Sequence, residues 1–368
     1  MAFTYMTNLN QKLDLAGTGD NIVVAVGDNE TITSGAFVFG LAQSPTTSSV
    51  SNNTVYLAGT GSTFTGSTGR SASDHVAVYG NNDTVQITAG NVDYYGNGGT
   101  VTATGFRIAD SQYSMGHTDI VAHGTGSLYA VATPGGSMNF IGDAGYYVID
   151  GRDSHATNID LGKGGGIAAG GAERAPYTPG NSWSGTSTLK AGTGDQGSVL
   201  YGAAHGNNTL ISTGHATVGM EGGQFANNVL DASQSTGNNW LEGYQGPATP
   251  DATTTNNNPG STRMIAGSGN DILVPGAGNN VMVAGKGADN FLIFNDAANQ
   301  VAGGNTALVQ GFKQGTDHVG LYGFTGTTDA ILAGAQHFGG NTSLRLQDGL
   351  QLTVAGVNLT AADVWRAG

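Results

Sequence analysis

Cysteine is absent from the 368 residues, which excludes disulfides and thiolate chemistry. Charge is scarce as well: Asp, Glu, Lys and Arg make up 10% of the chain, and Glu stands only at Glu30, Glu173, Glu221 and Glu242. With 12 Lys+Arg against 26 Asp+Glu the formal net charge is −14, and almost all of the acid is Asp. No basic stripe is present to neutralise phosphates, so nucleic acid is not an expected partner. No apolar run reaches the ~18 residues of a membrane-spanning helix, so no transmembrane segment is expected. The first fifteen residues lack the basic stretch and apolar core of a cleaved leader, which taken alone points to the cytosol.

Glycine, in contrast, fills 63 positions, more than twice its usual share. Thr, Asn and Val abound while helix formers such as Glu and Lys are few. That composition predicts an all-β chain with many tight turns. Two phrases recur along it. AGTGD at Ala16 to Asp20 returns as AGTGS (58–62), AGTGD (191–195) and AGSGN (266–270). A small residue, two Asn/Asp, one residue and an apolar one recur as GDNIV (19–23), SNNTV (51–55), GNNTL (206–210), ANNVL (226–230), GNNWL (237–241), GNDIL (269–273) and GNNVM (278–282). Each copy reads as a turn that accepts positive φ followed by an alternating strand, with Val76, Val78 and Val101 on the inward face. Spacing is irregular upstream and strict only after Ala266, which predicts a degenerate β-solenoid feeding into a regular roll. Stacked Asn pairs such as Asn52/Asn53 and Asn207/Asn208 are expected to form amide ladders that need no ion.

The strict part reads AGSGNDILV, PGAGNNVMV, AGKGADNFL over Ala266 to Leu292. Gly falls at the second and fourth places (Gly267/Gly269, Gly276/Gly278, Gly285/Gly287), Asp or Asn at the sixth (Asp271, Asn280, Asp289) and a large apolar residue at the eighth (Leu273, Met282, Phe291). This is the pattern of a calcium-binding parallel β-roll, and here the chain resembles the RTX (hemolysin-type calcium-binding) family. In such a roll, turns 18 residues apart stack on one edge, so Asp271 lies above Asp289. At a strand spacing of about 4.8 Å two bare carboxylates repel by roughly 1 kcal/mol in water and about 3.5 at an effective dielectric of 20. Calcium, which takes six to eight oxygens, converts that repulsion into attraction. The expected ligand set is Gly267, Gly269, Asp271, Gly278, Asn280, Gly285, Gly287 and Asp289, with one strong ion between Asp271 and Asp289. The opposite edge is weaker, because Thr262 and Ala298 stand 18 residues from Asn280. A Gly/Asn turn ladder without metal is the alternative.

After the roll, ALVQGFKQGTDHVGLYGF (Ala307 to Phe324) is similar to the segment that follows the repeats in serralysin-like RTX proteins. Val309, Phe312, Lys313, Gly315, Asp317, Val319, Leu321 and Phe324 carry the match. The tail from Leu346 to Gly368 resembles the end of type I secreted RTX chains. The resemblance covers about the last hundred residues. It implies export through a type I channel with an uncleaved C-terminal signal, hence an extracellular location. The expected division is a degenerate solenoid (1–262), the calcium-binding roll (263–304) and a C-terminal cap and secretion region (305–368). Two Gly/Pro-rich stretches, Gly162 to Gly185 and Gly243 to Thr262, read as long surface loops. Their aromatics, Tyr177, Trp183 and Tyr244, are candidates for sugar contact or subunit contact.

Neither the H-E-x-x-H of RTX proteases nor the G-x-S-x-G of lipases occurs, so no enzyme is expected. The best catalytic constellation is GHTDIVAH, where alternation puts His117, Asp119 and His123 on one strand face with Arg107 as the only nearby cation. A chain of this negative charge would repel a polyuronate substrate. A solenoid with no evident cap before Leu13 leaves open sheet edges that natural proteins cap or pair. Head-to-tail contact between copies propagates into fibres or lattices. The functional expectation is a secreted, calcium-dependent, self-assembling protein of the bacterial surface: a filament, surface layer or biofilm-matrix subunit. An adhesin or glycan-binding module for surface polysaccharide, or less readily a solenoid polysaccharide lyase or epimerase, is the alternative.

Overall fold

A computed structural model describes residues 2–15, 21–33, 53–66, 74–87, 90–103, 106–108, 112–114, 116–132, 136–152, 156–171, 186–244, 260–295 and 305–367. The chain divides into two compact units, Met1–Thr186 and Ser187–Gly368. Each is a parallel β-solenoid, and the second carries an antiparallel β cap at its C-terminal end.

In the first unit every coil contributes one strand to a front sheet and one to a back sheet. The front strands are Ala2–Met6, Asn21–Ala25, Thr54–Leu57, Asp74–Val78, Gly90–Tyr94, Gly116–Ala122, Gly136–Ile141 and Ala156–Asp160. The back strands begin with Lys12–Asp14, Thr31–Thr33 and Thr63–Thr65 and end with Tyr146–Asp150 and Gly165–Ala169. All front and back pairings are parallel, and their register stacks like residues. Val23, Val55, Val76, Val92, Ile120, Phe140 and Ile159 form one inward column, each at most 1% exposed. Ile32, Phe64, Val85, Val101, Ala130, Ile149 and Ala168 form the facing column. The β-branched and aromatic content of the strands therefore has a direct use: alternate residues fill a core two side chains thick, and the rest face out. Coil length varies, from 16 residues between Asn81 and Asn97 to 32 between Asp28 and Thr60, while the inward columns stay in register.

The second unit repeats the plan. Its inward columns are Leu210, Leu230, Met264, Met282, Val309 and Val354 on the front sheet. Leu200, Met220, Leu241, Leu273, Phe291, Val319 and Val364 line the back. The ladders pass through residues 262/263 without interruption, in the front-sheet strand Ser261–Ile265. Beyond Gln351–Val354 the front sheet turns antiparallel, adding Asn341–Arg345 and then Gln336–Phe338. A single-turn helix, Thr328–Leu332, starts on Thr327, whose hydroxyl accepts from Ala330 N.

The first fifteen residues form a full coil, because Ala2–Met6 and Lys12–Asp14 pair with the next coil in both sheets. Two expectations change. Within the stretch read as a loop at Gly162 to Gly185, Gly165–Ala169 forms a back-sheet strand on Tyr146–Asp150. Gly166 at φ 141 and the missing side chains let that backbone pass over Tyr147, so composition alone misreads it. Tyr177 and Trp183 lie outside the described residues. In the other stretch, Ser261–Ile265 is strand and Tyr244 is part-buried, while residues 245–259 lie outside the described residues.

The glycine surplus is explained at the turns. A Cβ on Gly59, Gly80, Gly96, Gly126, Gly145 or Gly164 would land on the carbonyl oxygen of the corresponding glycine one coil earlier. Coils thus stack at these corners by bare backbone. Other glycines serve only positive φ: a Cβ on Gly124 (φ 75) would meet no atom within 4 Å. Gly80→Ala is therefore expected to destabilise the first unit by ~3 kcal/mol or more through overpacking against backbone, whereas Gly124→Ala costs about 1 kcal/mol of left-handed strain. Urea unfolding of the two variants measures the difference. Equal losses would refute the stacking explanation.

Candidate functional site

The residues just before the back-sheet strands Trp240–Glu242, Ile272–Val274, Asn290–Phe294 and His318–Tyr322 occupy one edge column: Asn239, Asp271, Asp289 and Asp317. All four are buried, at 2%, 0%, 0% and 0% exposure. The register Ile272↔Asn290 places Asp271 and Asp289 on adjacent rungs, as the 18-residue step requires. The contacts repeat from rung to rung. Asp271 Oδ1 accepts from Asn239 N at 2.7 Å, Asp289 Oδ1 from Asp271 N at 3.0 Å, and Asp317 Oδ1 from Asp289 N at 3.0 Å. The second oxygen of each accepts the N–H four residues back in its own turn: Gly267 N at 2.6 Å, Gly285 N at 2.6 Å and Lys313 N at 2.7 Å. Each carboxylate thereby ties its own turn closed and hangs the preceding coil from its free oxygen.

The remaining predicted residues fall around this column or opposite it. Cβ atoms on Gly285 and Gly287 would strike the carbonyls of Gly267 and Gly269, and one on Gly269 would strike Gly237. Gly278 and Asn280 lie on the other edge. Gly278 (φ 86) donates its N–H to Asn305 Oδ1 at 2.9 Å, and Asn280 donates to Gly276 O at 2.8 Å and receives Gly276 N at 3.2 Å. Asn280 has Thr262 on one side as expected, but its other neighbour is Ala307 rather than Ala298. The coil there is longer than 18 residues, so the strict nonad count falls short. Asp317, the next rung of the column, is hidden from a nonad reading by the 28-residue step from Asp289. The G-T-D phrase at 315–317 is its only sequence signal.

Electrostatics makes this column demanding. Burial first, and then the charges of Asp271 and Asp317, push Asp289 up to about 6 from an ordinary 3.8, against the opposing N–H bonds of Asp271 and Gly285. Burial likewise raises Asp271. A side-chain cation does touch this turn, Lys313 Nζ on Gly285 O at 2.6 Å, but it binds a carbonyl and not a carboxylate. All donors are hard oxygens, the class calcium takes, and an ionised carboxylate oxygen that accepts one N–H keeps a lone pair for a cation. Among the described residues no three His, Cys, Asp or Glu side chains converge. A cation between Asp271 and Asp289 would therefore draw on the turn carbonyls of Gly267, Gly269, Gly285 and Gly287.

Of the upstream Asn pairs, Asn207/Asn208 forms the amide ladder expected of it, while Asn53 meets a carboxylate. Asn208 Nδ2 donates to Asn228 Oδ1 at 2.8 Å, and Asn228 Nδ2 to Thr262 Oγ1 at 3.2 Å. Asn53 Nδ2 donates to Asp74 Oδ1 at 2.9 Å, while Asn52 lies outside the described residues. The histidine constellation separates into two groups on the outer front face of the first unit. His117 meets Asp119 (3.2 Å), Ser137 (2.7 Å) and Asn139 (3.1 Å). His123 joins instead with Asp93 at 3.3 Å, which His75 contacts at 2.9 Å. Burial alone would raise the Asp93 carboxyl, but the hydrogen bonds of the two histidines outweigh it and hold it below the usual range. His123 also stacks on Tyr95, and Tyr95 on Tyr79, with centroids 4.2 and 4.8 Å apart. Arg107 lies on Phe106–Ile108, a strand paired only with Gln112–Ser114 among the described residues.

No protein-family model and no curated protein matches the chain.

The raised acids set a pH dependence. Asp289, and Asp83 in the first unit, which burial also raises to about 6, bind protons more readily folded than unfolded between about 4 and 6. Their contribution to stability is therefore fully present below the ordinary value of 3.8 and lost as pH rises through about 6. The lowered groups Asp93, Asp150 and Asp363 act in the opposite sense, and only at more acid pH. In EDTA the thermal midpoint should rise as pH falls from 7.5 to 5.5, at roughly 2–4 °C per kcal/mol for units of this size. A flat or falling midpoint over that window would contradict the buried carboxylate column.

Proposed function

We propose that this chain is a secreted, calcium-dependent structural protein of the bacterial surface that assembles with copies of itself into a filament, surface layer or biofilm matrix. One observation carries the assembly reading. Ala2–Met6 pairs only with Asn21–Ala25 among the described residues, and around this open edge Phe3, Leu9 and Tyr5 are 69%, 61% and 58% exposed. A flat strand edge rimmed by large apolar side chains is a template for another strand. At the other terminus Gln336–Phe338 pairs only with Asn341–Arg345 among the described residues, with Phe338 85% exposed. Two different open edges on one chain favour a head-to-tail contact, which does not close on itself and so propagates.

Calcium enters through the RTX resemblance and the uncompensated Asp271–Asp289–Asp317 column. The same resemblance supports type I export: the column stays uncompensated in a calcium-poor cytosol and is neutralised outside, which couples folding to delivery. No catalytic role is proposed, since His117, Asp119 and His123 do not converge. A second reading, binding of a surface glycan, is favoured by the exposed Tyr79–Tyr95–His123 stack beside the polar group of Asp93 and His75. Aromatic faces flanked by carboxylate and imidazole suit a sugar ring and its hydroxyls.

Electron microscopy and sedimentation of the full chain with millimolar calcium and with EDTA test the assembly. Polymers are expected with calcium alone, and the double change Phe3→Glu, Tyr5→Glu should leave monomers that keep the wild-type circular dichroism. Monomers of the wild-type chain in both conditions would overturn the structural reading, and glycan-array binding lost in Tyr95→Ala would put the second in its place.

A further inference from the structure

The first coil of the first unit lies on a buried acid that has no donor. The residues just before the back-sheet strands Lys12–Asp14, Thr31–Thr33 and Thr63–Thr65 are Gln11, Glu30 and Ser62. Glu30 thus takes the place that Asp271 and Asp289 hold in the second unit, one coil in from the open end. The turn that carries it is clamped from both sides. Val26 N donates to Met6 O at 2.9 Å, Asn10 N to Asp28 O at 3.0 Å and Thr31 N to Gln11 O at 2.9 Å, while Thr63 N donates to Glu30 O at 2.7 Å. Glu30 is 0% exposed, and both of its carboxylate oxygens are buried with no hydrogen-bond partner. The bond that closes each aspartate of the ladder is missing here, because the N–H four residues back belongs to Val26 and goes to Met6.

What lies beside this carboxylate is another acceptor. A Cβ on Gly27 would stand 2.7 Å from Glu30 Oε1 and 2.7 Å from Asn8 O, so the acid and a carbonyl of the first coil share the space that this glycine leaves empty. Ser62 commits its hydroxyl proton to Gly27 O at 3.4 Å, and Gln11 turns its side-chain oxygen to Thr7 N and Asn8 N. Burial raises the Glu30 carboxyl above its ordinary 4.5; the Gly27 N–H opposes this, and the charge of Asp28 in the same turn adds to it. Lys12 and Asp14 on the first coil are exposed, and Asp83, two coils on, takes Ser62 N on Oδ1 at 2.7 Å. None of the ion pairs among the described residues reaches Glu30. Two dry acceptors in one space are unfavourable, whereas a neutral carboxyl has an O–H to donate. We propose that Glu30 is a pH-sensitive fastener: its protonated carboxyl donates to Asn8 O and holds the first coil on the second, and loss of that proton to solvent loosens the coil. This regulates the edge offered to a second copy, and it rests on the function proposed above only in that Ala2–Met6 is that edge. The fastening is complete below the ordinary value of 4.5 and is lost as pH rises through the raised folded value.

Hydrogen exchange of the full chain in EDTA, followed peptide by peptide from about pH 4.5 to about pH 7.5 and corrected for the intrinsic exchange rate, reads the first coil by itself. Protection over residues 2–15 should fall as pH rises, by about tenfold for each pH unit by which the folded carboxyl is raised. Glu30→Gln, whose amide donates at any pH, should hold that protection level. Asp83→Asn should keep the wild-type slope, which assigns the slope to Glu30 and not to the other raised acid of this edge. A level wild-type profile would overturn the fastener, as would a slope that Glu30→Gln leaves intact. Calcium that protects the first coil of wild type at about pH 7.5, and not that of Glu30→Gln, would put a cation in place of the proton. If Glu30→Gln fails to fold, the profiles of wild type and Asp83→Asn still decide. Polymerisation in calcium that is indifferent to pH, alongside a sloping profile, would count against assembly through Ala2–Met6 and leave the fastener standing.

Discussion

The structure depends on the closeness with which one coil's backbone lies on the next at the corners. Parallel strands about 4.8 Å apart leave no room for a side chain where the chain turns, so the corners are glycine and the carbonyl of one turn faces the bare Cα of the next. With the corners set, register follows, and with register every position becomes a column. Val23 must sit on Val55 and Leu273 on Phe291, because a slip of one residue would turn the whole inward set to solvent. Coils can lengthen by loops without disturbing this, since loop closure grows only slowly more costly with length.

Columns that help apolar residues work against charged ones. A stack of valines gains by repetition, whereas a stack of aspartates concentrates like charge in a dry edge. The second unit relieves this with N–H groups from the turn and from the preceding coil, two or more on each carboxylate. Even so, burial dominates and Asp289 stays well above its ordinary value. Asparagine offers the neutral solution on the opposite edge, where Asn208, Asn228 and Asn280 donate as well as accept and so satisfy both neighbours without net charge. The two edges of this unit thus show two answers to the same geometric demand.

What the sequence revealed followed the same divide. The nonads at 266–292 state their period openly, and both the inward residues and the stacking of Asp271 on Asp289 could be read from them. The place of Asp317 in the same column could not, because the coil before it is longer than two nonads, and the residue stood out only through the G-T-D turn at 315–317. Gly165–Ala169 was misread because glycine marks turns and also permits a strand to lie closely on the backbone of its neighbour, as Gly166 does on Tyr147. His117 and His123 lie on one strand face, yet their partners come from different coils at distances no single-strand pattern encodes: Ser137 for one, Asp93 and His75 for the other.

Turn length decides how a buried acid is satisfied. In Gly267 to Asp271 the carboxylate stands four positions after the glycine, and the glycine N–H folds back to the second oxygen. In Gly80 to Asp83 it stands only three positions after, and the N–H four residues back has already entered the sheet to bond Leu57. Shortening the turn by one residue therefore converts a closed carboxylate into an open one without changing its burial. Turns of both lengths place buried acids in otherwise equivalent positions, and the difference is visible only once each N–H has been traced to its acceptor.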